Sequence, residues 1–294
     1  MRVTDKMLYD GAARDTGTLR SELSKAIARA STGARFTHPG EAPAAAGLVT
    51  VDRARAARLD AIATTAERAA DELSIADGAL GEINNAITRA RELAVQLSSS
   101  SYGAAERAGG AKEVRGLLAS IHASLDARSG SRYVFGGRMD GASPFDAAGN
   151  YVAEAGVREV EIAPGVYQAA SVRADVALTG AGGGTDVLAT LEALALALEA
   201  NDAVGVRGSL DGLAAGTSQL AVARAEAGAM MSALDAAVAA SQAGRDAAKA
   251  SVAGLIDVDP IQAALELSRA QSALEASLTA TAKGLQLSLL DKLG

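Results

Sequence analysis

The stretch LDAIATTAERAADELSIADGALGEINNAITRARELAVQL, residues 59–97, decides the fold. Apolar residues recur in it at alternating spacings of three and four, from Leu59 and Ile62 to Ile87 and Leu97. This is the heptad period of a helix that packs on other helices, and it is sustained over about five heptads without a proline. At 1.5 Å per residue such a helix is roughly 58 Å long, which predicts a rod rather than a globule.

Further helices are predicted on both sides of this stretch. The serine run 98–101 ends the long helix, and an apolar stripe predicts a second helix over 104–127. Thr185 or Asp186 is placed to cap another helix. The heptad period then returns from about residue 203 to residue 253, so a second long helix is expected to pack against the first.

Residues 131–180 break the helical period. SRYVFGG (131–137) is rich in aromatic and β-branched residues and ends in a glycine pair. The segment around Pro164 and Gly165 alternates apolar and polar residues, which is typical of short hairpins. A small β-rich insert is therefore expected between the helices.

The predicted fold class is mainly α. We expect a long antiparallel helical rod, or coiled-coil bundle, with the β-rich insert at its distal end and both termini paired in a terminal coiled coil. The predicted domains are a terminal assembly domain (1–45 and 255–294), a helical rod (46–130 and 186–254) and the β-rich domain (131–185).

Both ends of the chain carry apolar stripes on segments of weak helix propensity. The stripe positions, which we predict to form an assembly interface by burial, are Leu19, Leu23, Ile27, Leu267, Leu274, Leu278, Leu285 and Leu289. Glycines such as Gly11, Gly17 and Gly284 each cost a helix about 1 kcal/mol relative to alanine. Two interpretations stay open: the ends become ordered only when a partner covers them, or they pack on each other within one chain.

Composition argues against several classes of protein. The formal charge of −7 and the absence of a basic run with aromatic residues argue against nucleic-acid binding. No apolar run reaches the roughly 18 residues needed to span a membrane, and the first residues lack the apolar core of a cleavable secretory signal. Cysteine is absent, which excludes disulfides and thiolate chemistry.

No pattern predicts catalysis, a metal site or a cofactor. His38 and His122, the two histidines, lie on different predicted elements without metal-ligand spacing. Asp257 and Asp259 supply too few oxygens for a calcium loop. Since Pro260 suits the first position of a helix, we predict that the acids of IDVDP cap the final helix instead.

Four stretches carry a resemblance to a known family. They are ASTGARFTHPGEAPAAA (30–46), RYVFGG with SPFD (132–137 and 143–146), ARAEAG (223–228), and LIDVDPIQAALELSRAQSALEASL (255–278) followed by LQLSLLDKL (285–293). Together they resemble the flagellin family, and most closely its hook–filament junction branch. The matched structural positions are Gly33, Arg35, Pro39, Pro43, Tyr133, Phe135, Phe145, Arg224, Glu226, Gly228, Asp257 and Asp259. Where that branch shows paired acids before the second proline, this chain has the single acid Glu41.

The resemblance implies a structural protein of the bacterial flagellum and no enzyme. The family leaves the cell unfolded through the flagellar type III export channel, so an extracellular location after a cytoplasmic stage is expected. The implied partners are neighbouring copies of the chain, the preceding hook-associated junction protein, flagellin and an export chaperone. The resemblance also favours a packing role for an ion pair between Arg224 and Glu226.

Two other functions stay open. One is a filament flagellin subunit, which differs from a junction protein in growing without limit. The other, from a different class, is a cytoplasmic helical adaptor that binds partners through the same apolar stripes.

Overall fold

Long helices dominate the computed structural model, which describes residues 2–146 and 149–290, apart from the side chains at 2–5, 8 and 284–290. The helices in chain order are α1 (Arg2–Thr32), α2 (Pro43–Leu97), α3 (Ala104–Leu125), α4 (Ala174–Leu178), α5 (Val187–Glu199), α6 (Ala203–Ile256) and α7 (Pro260–Leu290). The strands are β1 (Arg128–Ser129), β2 (Arg132–Tyr133), β3 (Glu159–Ala163) and β4 (Val166–Ala169). The predicted mainly α class with a small β insert is confirmed.

Helix α2 follows the heptad pattern and begins earlier than that pattern. The predicted heptad positions from Ile62 to Leu97 are buried, and Leu59 is half-buried. The helix starts at Pro43 because proline at the first helical position needs no N–H donor, and three alanines follow it.

The predicted helix ends agree with the structure to within a few residues. The side chain of Asp186 caps α5 by accepting a hydrogen bond from the Ala189 amide at 2.8 Å. Asp259 Oδ1 accepts from the Ile261 amide at 2.8 Å, directly before α7. Helix α4, which the sequence analysis did not predict, is a single short segment inside the β-rich region.

The described residues form two compact units. One comprises Met1–Ala57 with Gly244–Gly294, and the other comprises Arg58–Ala243. The three-domain division expected from the sequence stays a prediction.

The β-rich insert lies beside α2 within the Arg58–Ala243 unit. It contains two antiparallel hairpins, β1 with β2 and β3 with β4. Because α3 runs back along α2, its last turn lies level with Glu82, well before the end of α2, and Ser124 Oγ donates to Glu82 at 2.8 Å. The insert then follows α2 toward its start, and Arg58 Nη2 donates to Glu161 Oε1 at 2.7 Å. The other end of this unit, where α2 stops, contains the turns that follow α2 and α5.

Those two turns are held together by one buried arginine. Arg107, 5% exposed, donates from Nε to the Leu97 carbonyl and from Nη2 to the Ser99 carbonyl, both at 2.9 Å. Its Nη1 donates to Asn201 Oδ1 at 2.5 Å. Asn201 has φ +54°, the left-handed conformation that asparagine tolerates better than most residues. Arg107 therefore joins the turn after α2 to the turn after α5.

Helices α5 and α6 pack at close range through glycine. A Cβ added at Gly216 would lie 2.8 Å from Val187 Cγ2, and one at Gly212 would lie 2.9 Å from Thr190 Cγ2. The α5 residues Leu191, Leu194 and Leu198 are fully buried, so this contact forms part of the core of the unit. Within the described residues, no helix is both long enough and apolar enough to cross a membrane.

Candidate assembly surface

The two terminal helices pack on each other within the chain. Helix α1 packs against α7. Ala26 of α1 and Ala263 of α7 are buried, and Arg29 Nη1 pairs with Glu266 Oε2 at 3.2 Å. Of the two interpretations left open by the sequence, the structure thus shows the ends packed on each other.

This pairing covers the predicted stripes only in part. Leu19, Leu23, Leu267 and Leu274 are half-buried. Ile27 is 49% exposed and Leu278 is 44% exposed. The predicted positions Leu285 and Leu289 lie outside the residues whose side chains the structure describes. The paired helices therefore still present apolar surface to solvent.

Further apolar side chains are exposed in the same unit, and four of them lie on α2 and at the start of α7, where the sequence analysis singled out no exposed position. These four are Leu48 (56%), Val51 (64%), Ile261 (78%) and Leu265 (49%). Ile261 and Leu265 lie roughly 160° around α7 from the side that faces α1. Their spacing of four residues could have indicated a second apolar face of α7. The sequence analysis considered only the leucine stripe, which lies on another side of that helix.

A backbone bridge joins the two segments that lead into the terminal helices. The Arg35 amide donates to the Ile256 carbonyl at 2.6 Å, and the Val258 amide donates to the Gly33 carbonyl at 2.9 Å. Ala34 and Asp257 form the antiparallel pair between these bonds. Gly33 has φ +68°, which glycine adopts without the strain of a Cβ. We call this arrangement the joint.

Arginine side chains reinforce the joint. Arg35 Nε donates to the Asp257 carbonyl at 2.8 Å, and Arg29 Nε donates to the Arg35 carbonyl at 3.1 Å. The family-motif positions Gly33, Arg35 and Asp257, which come from opposite ends of the sequence, thus meet at one place. Asp259 caps α7 beside them.

The two motif prolines each begin a helical turn. Pro39 opens a 3-10 turn at Pro39–Glu41, and Pro43 opens α2. Glu41 Oε2 accepts from the Thr37 amide at 3.0 Å. Glu41, the single acid of this segment, therefore stabilises the turn that connects α1 to α2.

The motif aromatics lie in the β-rich insert and have structural contacts. Phe135 is fully buried. Phe145 meets the edge of the Tyr151 ring at a centroid distance of 5.4 Å. The Arg128 guanidinium lies 4.0 Å above the centroid of the Tyr133 ring.

Arg224 binds a different partner from the one suggested by the sequence. Its Nε and Nη2 donate to the two carboxylate oxygens of Asp77 on α2, at 2.8 Å and 3.0 Å. These hydrogen bonds hold the pKa of Asp77 below its ordinary value. The expected pairing with Glu226 is wrong, since residues two apart on a helix face different directions and Glu226 is exposed. Gly228, the last residue of that motif, is half-buried on α6.

The described residues hold no group of three or more histidine, aspartate or glutamate side chains placed to bind a metal ion. His38 lies at the start of the 3-10 turn and His122 lies in the last turn of α3.

Comparison with known proteins gives concordant matches at both ends of the chain. Residues 5–135 match the N-terminal helical region of bacterial flagellin, and residues 210–293 match its C-terminal helical region. Flagellar hook-associated protein 3 of Salmonella typhimurium is 28% identical over 153 residues, 51% of this chain and 48% of that protein. The chain thus aligns with about half the length of the curated relatives it matches.

Solved structures show the same fold at lower sequence identity. A Vibrio parahaemolyticus protein assigned as a flagellar hook-associated protein superposes with a TM-score of 0.67 at 19% identity, covering 74% of this chain and 100% of that one. Flagellar hook associated protein-3 of Legionella pneumophila gives a TM-score of 0.61 at 13% identity, covering 70% and 98%. At these identities the likeness concerns the fold alone.

Proposed function

The chain belongs to the bacterial flagellin family, and from that premise we propose that it is a structural protein of the flagellum, assembled as the junction layer between hook and filament. The observation that carries this proposal is the partly uncovered apolar surface of the paired helices α1 and α7. Curated relatives named as hook-associated protein 3 favour the junction role over that of a filament subunit.

Assembly would complete the burial that the α1–α7 pair leaves unfinished. Ile27 and Leu278 are each nearly half exposed, and full burial of one such side chain contributes about 1.5–3 kcal/mol. Several such contacts offset the entropy lost when neighbouring copies become ordered together. The role is one of packing rather than catalysis.

The remaining parts of the proposal concern route and partners. The chain leaves the cell by flagellar type III export and is extracellular once assembled. Its neighbours are further copies of itself, the preceding hook-associated protein on one side and flagellin on the other. Before export, a chaperone covers the same apolar surface, because a chain with such helices exposed would associate too early.

A seeding experiment tests the junction role. Purified protein is added to isolated hooks that carry the preceding hook-associated protein, and separately to short filament fragments, and the added subunits are counted by sedimentation and electron microscopy. Saturation at a small fixed number on hooks, without growth of filaments, is expected. Open-ended growth on filament fragments would identify a filament subunit instead. Addition to neither would favour the cytoplasmic adaptor.

A point variant tests the surface itself. Leu278→Asp is expected to leave the circular dichroism spectrum and the unfolding midpoint unchanged, because the side chain is already 44% exposed. Addition to hooks should be lost, since a carboxylate cannot be buried at an apolar contact without a partner. Val222→Asp, at a 59% exposed position on α6, is the matched control and should add normally. Normal addition of Leu278→Asp would exclude this surface from the assembly interface.

A further inference from the structure

The unit of Met1–Ala57 with Gly244–Gly294 carries two exposed apolar patches, and the charged residues beside the two patches have opposite signs. The basic patch is Leu48, Val51 and Arg55 on α2. The acidic patch is Asp257, Ile261 and Leu265 at the start of α7. Neither patch belongs to the α1–α7 contact described above.

The basic patch forms one stripe on α2. Its members are spaced by three and four residues, which places them within roughly 60° of each other around the helix. Val49 and Ala56, which are buried, lie on a different side of the same helix. Arg55 is exposed and has no ion pair within the described residues. The stripe therefore combines two uncovered apolar side chains with an exposed arginine, and the neighbouring Asp52 accepts a hydrogen bond from Ser251.

The acidic patch has the opposite character. Ile261 is the most exposed large apolar side chain of the described residues, at 78%. Asp257 lies four residues before it and is also exposed. The hydrogen bond from Arg35 engages the backbone carbonyl of Asp257, so the structure gives its carboxylate no partner among the described residues.

From these properties we propose that the two patches bind each other between copies of this chain, which deepens the proposed function and rests on it. The occupant of each patch is a second copy because the chain carries both halves of a complementary contact. An antiparallel alignment of α2 with α7 places Val51 near Ile261 and Leu48 near Leu265, and brings Arg55 to the end of α7 that Asp257 precedes. The apolar spacings agree, with a rise of about 4.5 Å on α2 and about 6 Å on α7.

Because the proposed function is a layer of many copies, the proposed contact is head-to-tail rather than reciprocal within one pair. The basic patch of one copy covers the acidic patch of the next, which leaves one patch of each kind free at the two ends. Such a heterologous contact does not close into a two-fold dimer and continues into a ring or a helical layer. Arg269, one turn beyond Leu265, lies at the end of the contact remote from Arg55 in this alignment, so it does not oppose the pairing.

Cysteine cross-linking tests the pairing, and the cysteine-free chain gives no background. Val51→Cys and Ile261→Cys copies of the full chain are mixed and oxidised at high concentration. A disulfide requires the two Cβ atoms to approach within about 4.5 Å. We expect dimers in the mixture at several-fold higher yield than in either variant alone. Yields in the mixture equal to those for Val51→Cys mixed with Val222→Cys would overturn the proposal.

A charge swap tests the orientation. Adding Arg55→Glu to the Val51→Cys copy should lower the cross-link yield roughly fivefold or more, since a like-charge pair replaces an attractive one. Adding Asp257→Arg to the Ile261→Cys copy should restore the yield. Arg53→Glu, an equal charge change on another side of α2, should have no effect. Loss of yield by Arg53→Glu, or lack of restoration, would contradict the alignment.

The outcome is separable from that of the seeding experiment. If hooks still saturate with wild-type protein while the cross-links fail, the junction role stands and this contact is wrong. If cross-links form but hooks take up no protein, the contact stands and the junction role is wrong.

Discussion

At the scale of single residues, two arginines show how similar side chains fulfil different tasks. Arg107 is buried and satisfies its donors with carbonyl and amide oxygens of two turns. Arg224 remains partly exposed and binds one carboxylate with two hydrogen bonds. Arg107 therefore stabilises the fold because its loss would leave buried acceptors without donors. Arg224 stabilises it through attraction between opposite charges.

Replacing Arg107 should strongly destabilise the protein. Arg107→Met keeps a flexible apolar stem but leaves the Leu97 and Ser99 carbonyls and the Asn201 side chain without their donors. We expect the free energy of unfolding to fall by about 3 kcal/mol, measured by urea denaturation. Arg115→Met on the same helix, which breaks an exposed ion pair with Glu199, should cost much less, because solvent screens an exposed pair. Equal losses for the two variants would show that Arg107 does not hold the turns.

The pair of Asp77 with Arg224 should make stability depend on pH. Because the folded state lowers the pKa of Asp77, the stabilisation is present above its ordinary value of 3.8 and is lost as the pH falls through the lower folded-state value. Asp77→Asn should therefore lower the free energy of unfolding by about 1 kcal/mol at pH 7, with the difference from wild type shrinking at acid pH. Glu226→Gln, which removes an exposed carboxylate from the same helix as Arg224, is the matched control. A constant difference for Asp77→Asn across the titration would argue for a packing effect.

At the scale of elements, the close contact of α5 with α6 depends on the absence of side chains. Gly212 and Gly216 lie on the side of α6 that faces α5, where an added Cβ would come within 3 Å of stiff β-branched residues. Gly208, earlier on α6, has open space around its Cα. Replacement by alanine should therefore destabilise the protein at Gly216 and stabilise it at Gly208.

Alanine scanning of these glycines measures the difference. Gly216→Ala should lower the thermal unfolding midpoint, because overpacking against Val187 costs about 1–3 kcal/mol and outweighs the gain in helix propensity. Gly208→Ala should raise the midpoint, since the gain of up to about 1 kcal/mol meets no clash. If both variants were stabilised, the α5–α6 separation would be larger than the structure shows.

The sequence predicted those elements whose signal is local. The heptads indicated α2 and α6. Residue type indicated a cap at Thr185 or Asp186, and the proline at 260 indicated the cap at Asp259. The joint was beyond such patterns, because Gly33 and Val258 are far apart in the chain and neither lies in a strand-like segment. Arg107 was missed for a related reason: within its helix it resembles a solvent-facing arginine, and only the distant turn of Asn201 makes it a buried one.

At the scale of the whole chain, burial is distributed unevenly between the two units. The large fully buried side chains, such as Leu73, Phe135 and Leu191, belong to the Arg58–Ala243 unit. Among the described side chains of α1 and α7, the buried ones are the alanines Ala26 and Ala263. Local stability follows buried apolar area, so the terminal helices are expected to open at a lower free energy than the rest.

Limited proteolysis of the full chain tests this expectation. Trypsin should cut first at exposed basic residues of the terminal helices, such as Lys25 and Arg269, and leave a resistant fragment close to residues 58–243. Mass spectrometry of the early products identifies the order of cleavage. Early cleavage within α3, which contains Arg107, Lys112 and Arg115, would mean that the Arg58–Ala243 unit is the less stable one.

The joint also has a mechanical consequence. Tension applied to α1 alone reaches α2 through the segment 33–42, and tension on α7 reaches α6 through 257–259. Because the Arg35–Ile256 and Val258–Gly33 hydrogen bonds tie these two segments side by side, a pull on either strand is shared by both. The two hydrogen-bonded segments of the joint therefore resist twisting and stretching more than two unlinked segments of the same length would.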